Sequence, residues 1–229
     1  LSLLPAAEVV PVADGRGPVS GPGGTQVAEV AFAELSHADV VVVPGGLGCE
    51  RAADDPELRD FLVRMEGTAR FVAASSTGTV VLAAAGLLHG ESAATHWLAG
   101  SLLARYGSEP AGRRLVVRGN VITCEGRLSA VDAAFAIVER IGGSTEVERI
   151  RTTLLERGEP LLRPLSLRER IFERILGRTT LFPERRPAVG TAARPERPPT
   201  TPLTVMVELV DDEELVRRMK RRASRSRRR

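Results

Sequence analysis

FVAASSTG (Phe71–Gly78) runs straight into TVVLAAAGLL (Thr79–Leu88). A short apolar run of β type ends in small residues and opens at once into a helix pattern. The turn reads Ala74-Ser75-Ser76-Thr77-Gly78: small, any, hydroxyl, any, glycine. A nucleophile elbow has this spacing, because the chain must fold past itself on either side of the central residue. Backbone N–H groups after such a turn aim at whatever the central side chain attacks. A plain βα turn fits the same spacing, with Ser76 then serving only as a helix N-cap.

Working outward, ADVVVV (Ala38–Val43) is a continuous β-branched run, suited to a strand buried on both faces. It ends in the turn Pro44-Gly45-Gly46. Asp55 then caps a helix with Pro56 at its first position, and Leu58, Phe61, Leu62 and Met65 form its apolar stripe. EVVPVA (Glu8–Ala13) reads as a strand that Pro11 pushes to a sheet edge, and Asp14–Gly24 as a glycine- and proline-rich loop. Beyond the elbow, Leu98–Tyr106 has helical character. Arg114–Val117 and Asn120–Thr123 are short strands around Arg118-Gly119, and Ser129–Ile141 is a helix stopped by Gly142-Gly143. Strands alternating with helices predict an α/β fold: a mostly parallel sheet with helices on both faces.

Past Gly143 the character changes. Ser166–Glu169 is a capping box opening a short helix, and Phe182–Pro202 is a proline-rich linker. LTVMVELV (Leu203–Val210) reads as a lone strand, and Asp211-Asp212 as the cap of a helix running into an arginine tail. The expected division is a domain over 1–146, a helical extension over 147–181, a linker over 182–202, and a strand, helix and basic tail over 203–229.

The net charge of +3 misleads, because Arg217–Arg229 contains basic residues and no acid, so the rest of the chain is acidic. Aromatic residues make up 3% of the chain, which argues against a base-stacking nucleic-acid platform. The tail alone suits weak, salt-sensitive binding to nucleic acid or another anionic surface. The two cysteines, Cys49 and Cys124, have neither metal nor CxxC spacing, and the apolar runs are too short to span a bilayer. A reduced, cytoplasmic protein without a transmembrane segment is the expectation. No cluster of His, Cys or carboxylates suggests a metal, and no cofactor motif is present.

Three loops fall at the C-terminal ends of the expected parallel strands: Pro44–Gly48, Ser75–Gly78 and Cys124–Leu128. Open α/β sheets bind small molecules in that crevice. Gly45, Gly46 and the amide of Thr77 are candidate backbone donors to a substrate oxygen. Ser76 needs an adjacent base to act as a nucleophile. His37 precedes the Ala38–Val43 strand and belongs at the opposite end of the sheet, and His89 sits at a helix C-terminus. His96, beside Trp97, is the remaining candidate base. Cys124 and Cys49 lie near the crevice, Cys124 as a possible substitute thiol or a small apolar filler. Asp132 sits in the first turn of its helix, where the dipole favours a carboxylate.

VVVPGGLG, SSTGTVVLAAAGLLHG, ATHW and VITCEGRLSAVDAAFAIVERIGG together resemble the ThiJ/PfpI superfamily, which has a class I glutamine amidotransferase-like fold. The resemblance covers Leu1–Gly143 and is nearest to the branch of isonitrile hydratases and AraC-type regulator domains. It implies a flavodoxin-like three-layer αβα sandwich. The family carries cysteine at Ser76, the residues Thr77 and Gly78 after it, a glycine at Gly46 that helps form the oxyanion hole, and the His96-Trp97 pair. Asp132 matches a recurrent aspartate of the last helix. A carboxylate near the end of the family's first strand has no counterpart here. Leu1–Leu4 resembles the end of the first helix, which leaves the first strand unmatched and a sheet position unfilled unless a partner subunit supplies it. The resemblance also implies a homodimer.

Three functional readings follow. One is a catalytically degenerate domain that binds a small molecule. The second is an active hydratase or hydrolase using Ser76 and His96, and the third is a fragment of a transcription regulator.

Overall fold

The computed structural model describes residues 1–21, 24–158 and 203–208. Ser166–Glu169, the proline-rich linker, Asp211-Asp212 and the arginine tail lie outside the described residues.

The strands are β1 (Ala7–Ala13), β2 (Gly17–Gly21), β3 (Gly24–Ala28), β4 (Val30–Ala31), β5 (Val40–Val43), β6 (Phe71–Ser75), β7 (Ser92–Ala93), β8 (Glu109–Pro110), β9 (Leu115–Arg118), β10 (Val121–Cys124) and β11 (Leu203–Glu208). The helices are α1 (Cys49–Asp54), α2 (Pro56–Thr68), α3 (Gly78–Ala84), α4 (Gly100–Arg105) and α5 (Arg127–Glu156), with a 3₁₀ turn at Trp97–Ala99.

Seven strands form one sheet in the order β4-β1-β11-β5-β6-β10-β9. All pairings are parallel except β10 with β9. Side chains alternate across a strand, and the core divides accordingly. Val41, Val43, Val72, Ala74 and Val121 face α1, α2 and α3. Val40, Ala73, Ile122 and Cys124 face Ala133, Ile137 and Val138 of α5. This is the expected three-layer αβα sandwich. Helix α2 starts where the sequence places it: Asp55 Oδ1 accepts from the amides of Glu57 and Leu58 at 2.9 and 3.3 Å, and Pro56 follows.

Five expectations need correction. The sheet position beside β5 is filled, and by this chain's own Leu203–Glu208. β11 lies parallel between β1 and β5, pairing Val9 with Val205 on one side and Val40 with Val205 on the other. That segment is therefore neither a lone strand nor separate from the first domain. β1 is consequently internal to the sheet. Pro11 is tolerated because β4 pairs only with Val12 and Ala13, so at Pro11 the sheet partner is β11 alone. The glycine-rich loop is an antiparallel hairpin, β2 with β3, and Leu98–Tyr106 splits into the 3₁₀ turn and α4. The last helix breaks at Gly143, whose φ of +78° suits glycine, but resumes to Glu156. Its second half packs Ile150, Val147 and Leu154 against Leu1, Leu3 and Leu4.

Candidate functional site

Ser76 is the first residue after β6, and its φ of +57° puts it in the left-handed region. Only Ala6 shares that conformation among the described residues other than glycine. A left-handed non-glycine residue is strained and persists only where its surroundings hold it.

Those surroundings are identifiable. The Ser76 amide donates to the Cys124 carbonyl at 2.8 Å, tying the elbow to the end of β10. Thr95 Oγ1 donates to the Ser76 carbonyl at 2.9 Å. Two buried threonines hold the segment before Thr95: Thr79 Oγ1 donates to the Ala94 carbonyl at 2.8 Å, and the Ala94 amide donates to Thr123 Oγ1 at 3.0 Å. No motif in the sequence assigns a role to the hydroxyls of Thr79, Thr95 and Thr123. Their signal is weak: Thr79 and Thr123 are hydroxyl residues at buried positions of a helix and a strand, and Thr95 lies in the segment before His96.

The two glycines are required by contact. A Cβ on Gly45 would lie 2.6 Å from Ser76 Cβ and 3.0 Å from Ser76 Oγ. A Cβ on Gly78 would lie 2.5 Å from the Val43 carbonyl oxygen. The Pro44–Gly46 turn and the elbow are thus packed backbone to backbone, as the small-residue spacing requires.

Thr77 closes this contact from its own side. Its hydroxyl donates to the Gly46 carbonyl at 2.7 Å and accepts from the Gly46 amide at 2.9 Å. The Gly46 N–H is therefore engaged and is not presented to a substrate, contrary to the expectation for an oxyanion donor. The Thr77 amide belongs to the first turn of α3, whose N–H groups lack intrahelical partners.

His96 reaches the crevice because Thr95 is tethered to Ser76, yet no hydrogen bond joins His96 to Ser76 among the described residues. Instead its Nδ1 accepts from the Leu98 amide at 3.3 Å and caps the 3₁₀ turn. A neutral imidazole that accepts at Nδ1 carries its proton on Nε2, so Nε2 is a donor and not a base. The Ser76–His96 dyad is not formed.

Cys124 is the last residue of β10 and is buried, rather than lying on a loop. Burial pushes its thiol up to about 11, against smaller opposing effects from hydrogen bonds with Ser129 and the Ser76 amide. At neutral pH it is a protonated filler, not a substitute nucleophile. Cys49 begins α1 and is buried among Ala52, Val43 and Leu82 in the core. Neither cysteine is in a disulfide. Asp132 pairs with Arg114 at 3.9 Å on the surface above Cys124. No metal-holding group of His, Cys or carboxylates exists among the described residues.

The chain's one tryptophan is at this mouth. Trp97 and Leu98 are 51% and 63% exposed, and Leu47, next to the tethered Gly46, is 47% exposed. Leu47 directly follows Gly46 and Trp97 is two residues after Thr95, so these exposed apolar side chains stand on the two segments bonded to the elbow.

Residues 6–140 match the DJ-1/PfpI family. The chain belongs to that family. Among DJ-1/PfpI relatives, isonitrile hydratase of Pseudomonas putida is 33% identical over 155 residues, covering 67% of this chain and 68% of the hydratase. The HTH-type transcriptional regulator GlxA of Rhizobium meliloti is 32% identical, covering 60% of this chain and 44% of the regulator. The structure of a ThiJ/PfpI protein from Pseudomonas syringae is 28% identical with a TM-score of 0.60, covering 68% of this chain and 64% of that one. The resemblance drawn from the motifs is borne out, including the branch.

Proposed function

We propose that this DJ-1/PfpI domain binds a small neutral molecule at the Ser76 crevice without covalent turnover. The observation that carries the reading is the unassisted hydroxyl: among the described residues no base is hydrogen-bonded to Ser76, His96 Nδ1 is engaged with Leu98, and Cys124 stays protonated. The exposed apolar side chains Leu47, Trp97 and Leu98 favour an uncharged ligand. The full chain is assayed against isonitriles, α-oxoaldehydes and amides. Turnover that vanishes in Ser76→Ala overturns the reading.

A second reading is an active hydratase or hydrolase. It is favoured by the strained elbow and by the likeness to isonitrile hydratase. It requires His96 to give up the Leu98 amide, carry its proton on Nδ1 instead of Nε2, and bring the freed Nε2 lone pair to Ser76 when substrate closes the crevice, since apo geometry alone does not exclude a base. Labelling of Ser76 by a serine-directed phosphonate supports it.

No described helix is long and apolar enough to cross a membrane. A cytoplasmic location, homodimerisation, and binding of nucleic acid by Arg217–Arg229 remain parts of the proposal. Salt-dependent DNA affinity lost on deleting that tail tests the last of these.

A further inference from the structure

Every strand of the main sheet except β11 lies within the first 124 residues. β11 reaches the middle of the sheet across residues 159–202, with the prolines of Phe182–Pro202 among them. It makes six register pairs along β1 and three along β5. We infer that the slot between β1 and β5 is a strand-exchange interface, and that the partner it fits is Leu203–Glu208 of a second copy of this chain.

The argument rests on what the slot recognises. A parallel ladder is made of backbone groups, so the segment from any copy satisfies it equally well. Only the tether favours the chain's own strand, through its effective concentration, which falls as the connection lengthens. Short connections under strain and long ones of low effective concentration both open a route to exchange, and exchange of an identical element is a low-cost route to a dimer.

The empty slot is also avid. β5 is Val40-Val41-Val42-Val43, with no charge, proline or bulge, and Val10, Val12, Val40 and Val41 around it are buried. Natural edge strands carry such features to block pairing. Here they are missing because the position is meant to be filled. A chain that folds its first 158 residues before capturing its own β11 therefore presents two unguarded edges to its neighbours.

The consequence reaches the crevice. β5 runs directly into Pro44-Gly45-Gly46, which packs on Ser76. In the exchanged dimer each Ser76 crevice is backed by the partner's strand.

The test uses the full chain. Val9 and Val205 are register partners, and facing Cα atoms of paired strands lie within disulfide span. The double variant Val9→Cys with Val205→Cys is expected to form an intrachain crosslink under oxidation. Val9→Cys and Val205→Cys chains, mixed and refolded together at rising concentration, are expected to give a covalent heterodimer joined at these positions by peptide mapping. Its yield should climb with concentration. An intrachain crosslink without heterodimer at any concentration overturns the exchange. A double variant with no crosslink overturns the slot itself. Glu8→Cys with Thr204→Cys, the neighbouring register pair, repeats the test should Val205→Cys not fold. The readout is independent of any ligand or turnover, so it stands or fails separately from the proposed function.

Discussion

Thr77 and Gly46 bond to each other twice. One hydroxyl donates to the Gly46 carbonyl at 2.7 Å and accepts from its amide at 2.9 Å. A side chain at the start of α3 thereby fixes the turn that leaves β5, and the crevice wall is locked to the crevice floor. Thr77→Val removes both bonds at nearly constant volume. A protein hydrogen bond contributes about 0.5–1.5 kcal/mol net, so a loss of about 1–3 kcal/mol is expected in urea unfolding. Thr77→Ser should keep most of the stability, and equal midpoints for the valine and serine variants would refute the assignment.

Gly78 and Gly67 should respond in opposite directions to alanine. A Cβ on Gly78 meets the Val43 and Pro44 carbonyl oxygens at 2.5 and 2.6 Å, backbone atoms that cannot swing aside. Overpacking of this kind costs about 1–3 kcal/mol or more. Gly67 lies within α2 with nothing within 4 Å of its Cβ position. Gly67→Ala should stabilise by about 0.5–1 kcal/mol through helix propensity. Thermal melts of both variants settle the sign.

Cys124 makes stability fall at high pH. Its folded-state thiol is raised to about 11 by burial, whereas an unfolded cysteine titrates near 8.5. As pH rises between these values the unfolded chain loses its proton first and is favoured. The contribution is complete below about 8.5 and is lost by about 11. Urea midpoints measured across this window should decline, and Cys124→Ala should flatten that part of the decline. An unchanged slope in the variant would place the effect elsewhere.

Ser76→Cys keeps the elbow's shape and exchanges a hydroxyl for a thiol beside the first turn of α3. The new thiol should alkylate with iodoacetamide at least tenfold faster at pH 8 than buried Cys124, which remains protonated there. Peptide mapping assigns the adducts. Equal labelling of the two would mean that position 76 is not open to the crevice.

Trp97 is the chain's single tryptophan, half exposed at the mouth of the crevice. Binding of a neutral apolar ligand should shift its emission to the blue. Trp97→Ala should weaken such a ligand about tenfold and a small polar one much less. An emission spectrum that stays constant through a saturating titration argues against this mouth as the entry.

Much of the architecture could be read locally. The buried ADVVVV strand, the Asp55–Pro56 helix start and the small residues around Ser76 each carry their own chemistry within a few positions. The place of Leu203–Glu208 could not be read that way. Its alternation marks a strand, but nothing inside six residues says which edges it joins, since ladder bonds involve no side chain. At the site, the neighbourhood of Ser76, Gly45 and His96 follows from their shared end of the sheet. The engagement of the Gly46 amide by Thr77, and of His96 Nδ1 by Leu98, depends on hydroxyl and ring orientations that spacing does not encode. The Gly17–Ala28 hairpin was hidden because glycine and proline mark turns and edge strands alike.

During synthesis the first 158 residues leave the ribosome well before Leu203–Glu208 does. Domains tend to fold in that vectorial order, but of the strands described in this sheet the internal β11 is delivered last. Premature termination anywhere upstream of Leu203 would therefore not trim a dispensable end. It would leave a cleft through the hydrophobic interior, exposed to every other nascent chain nearby.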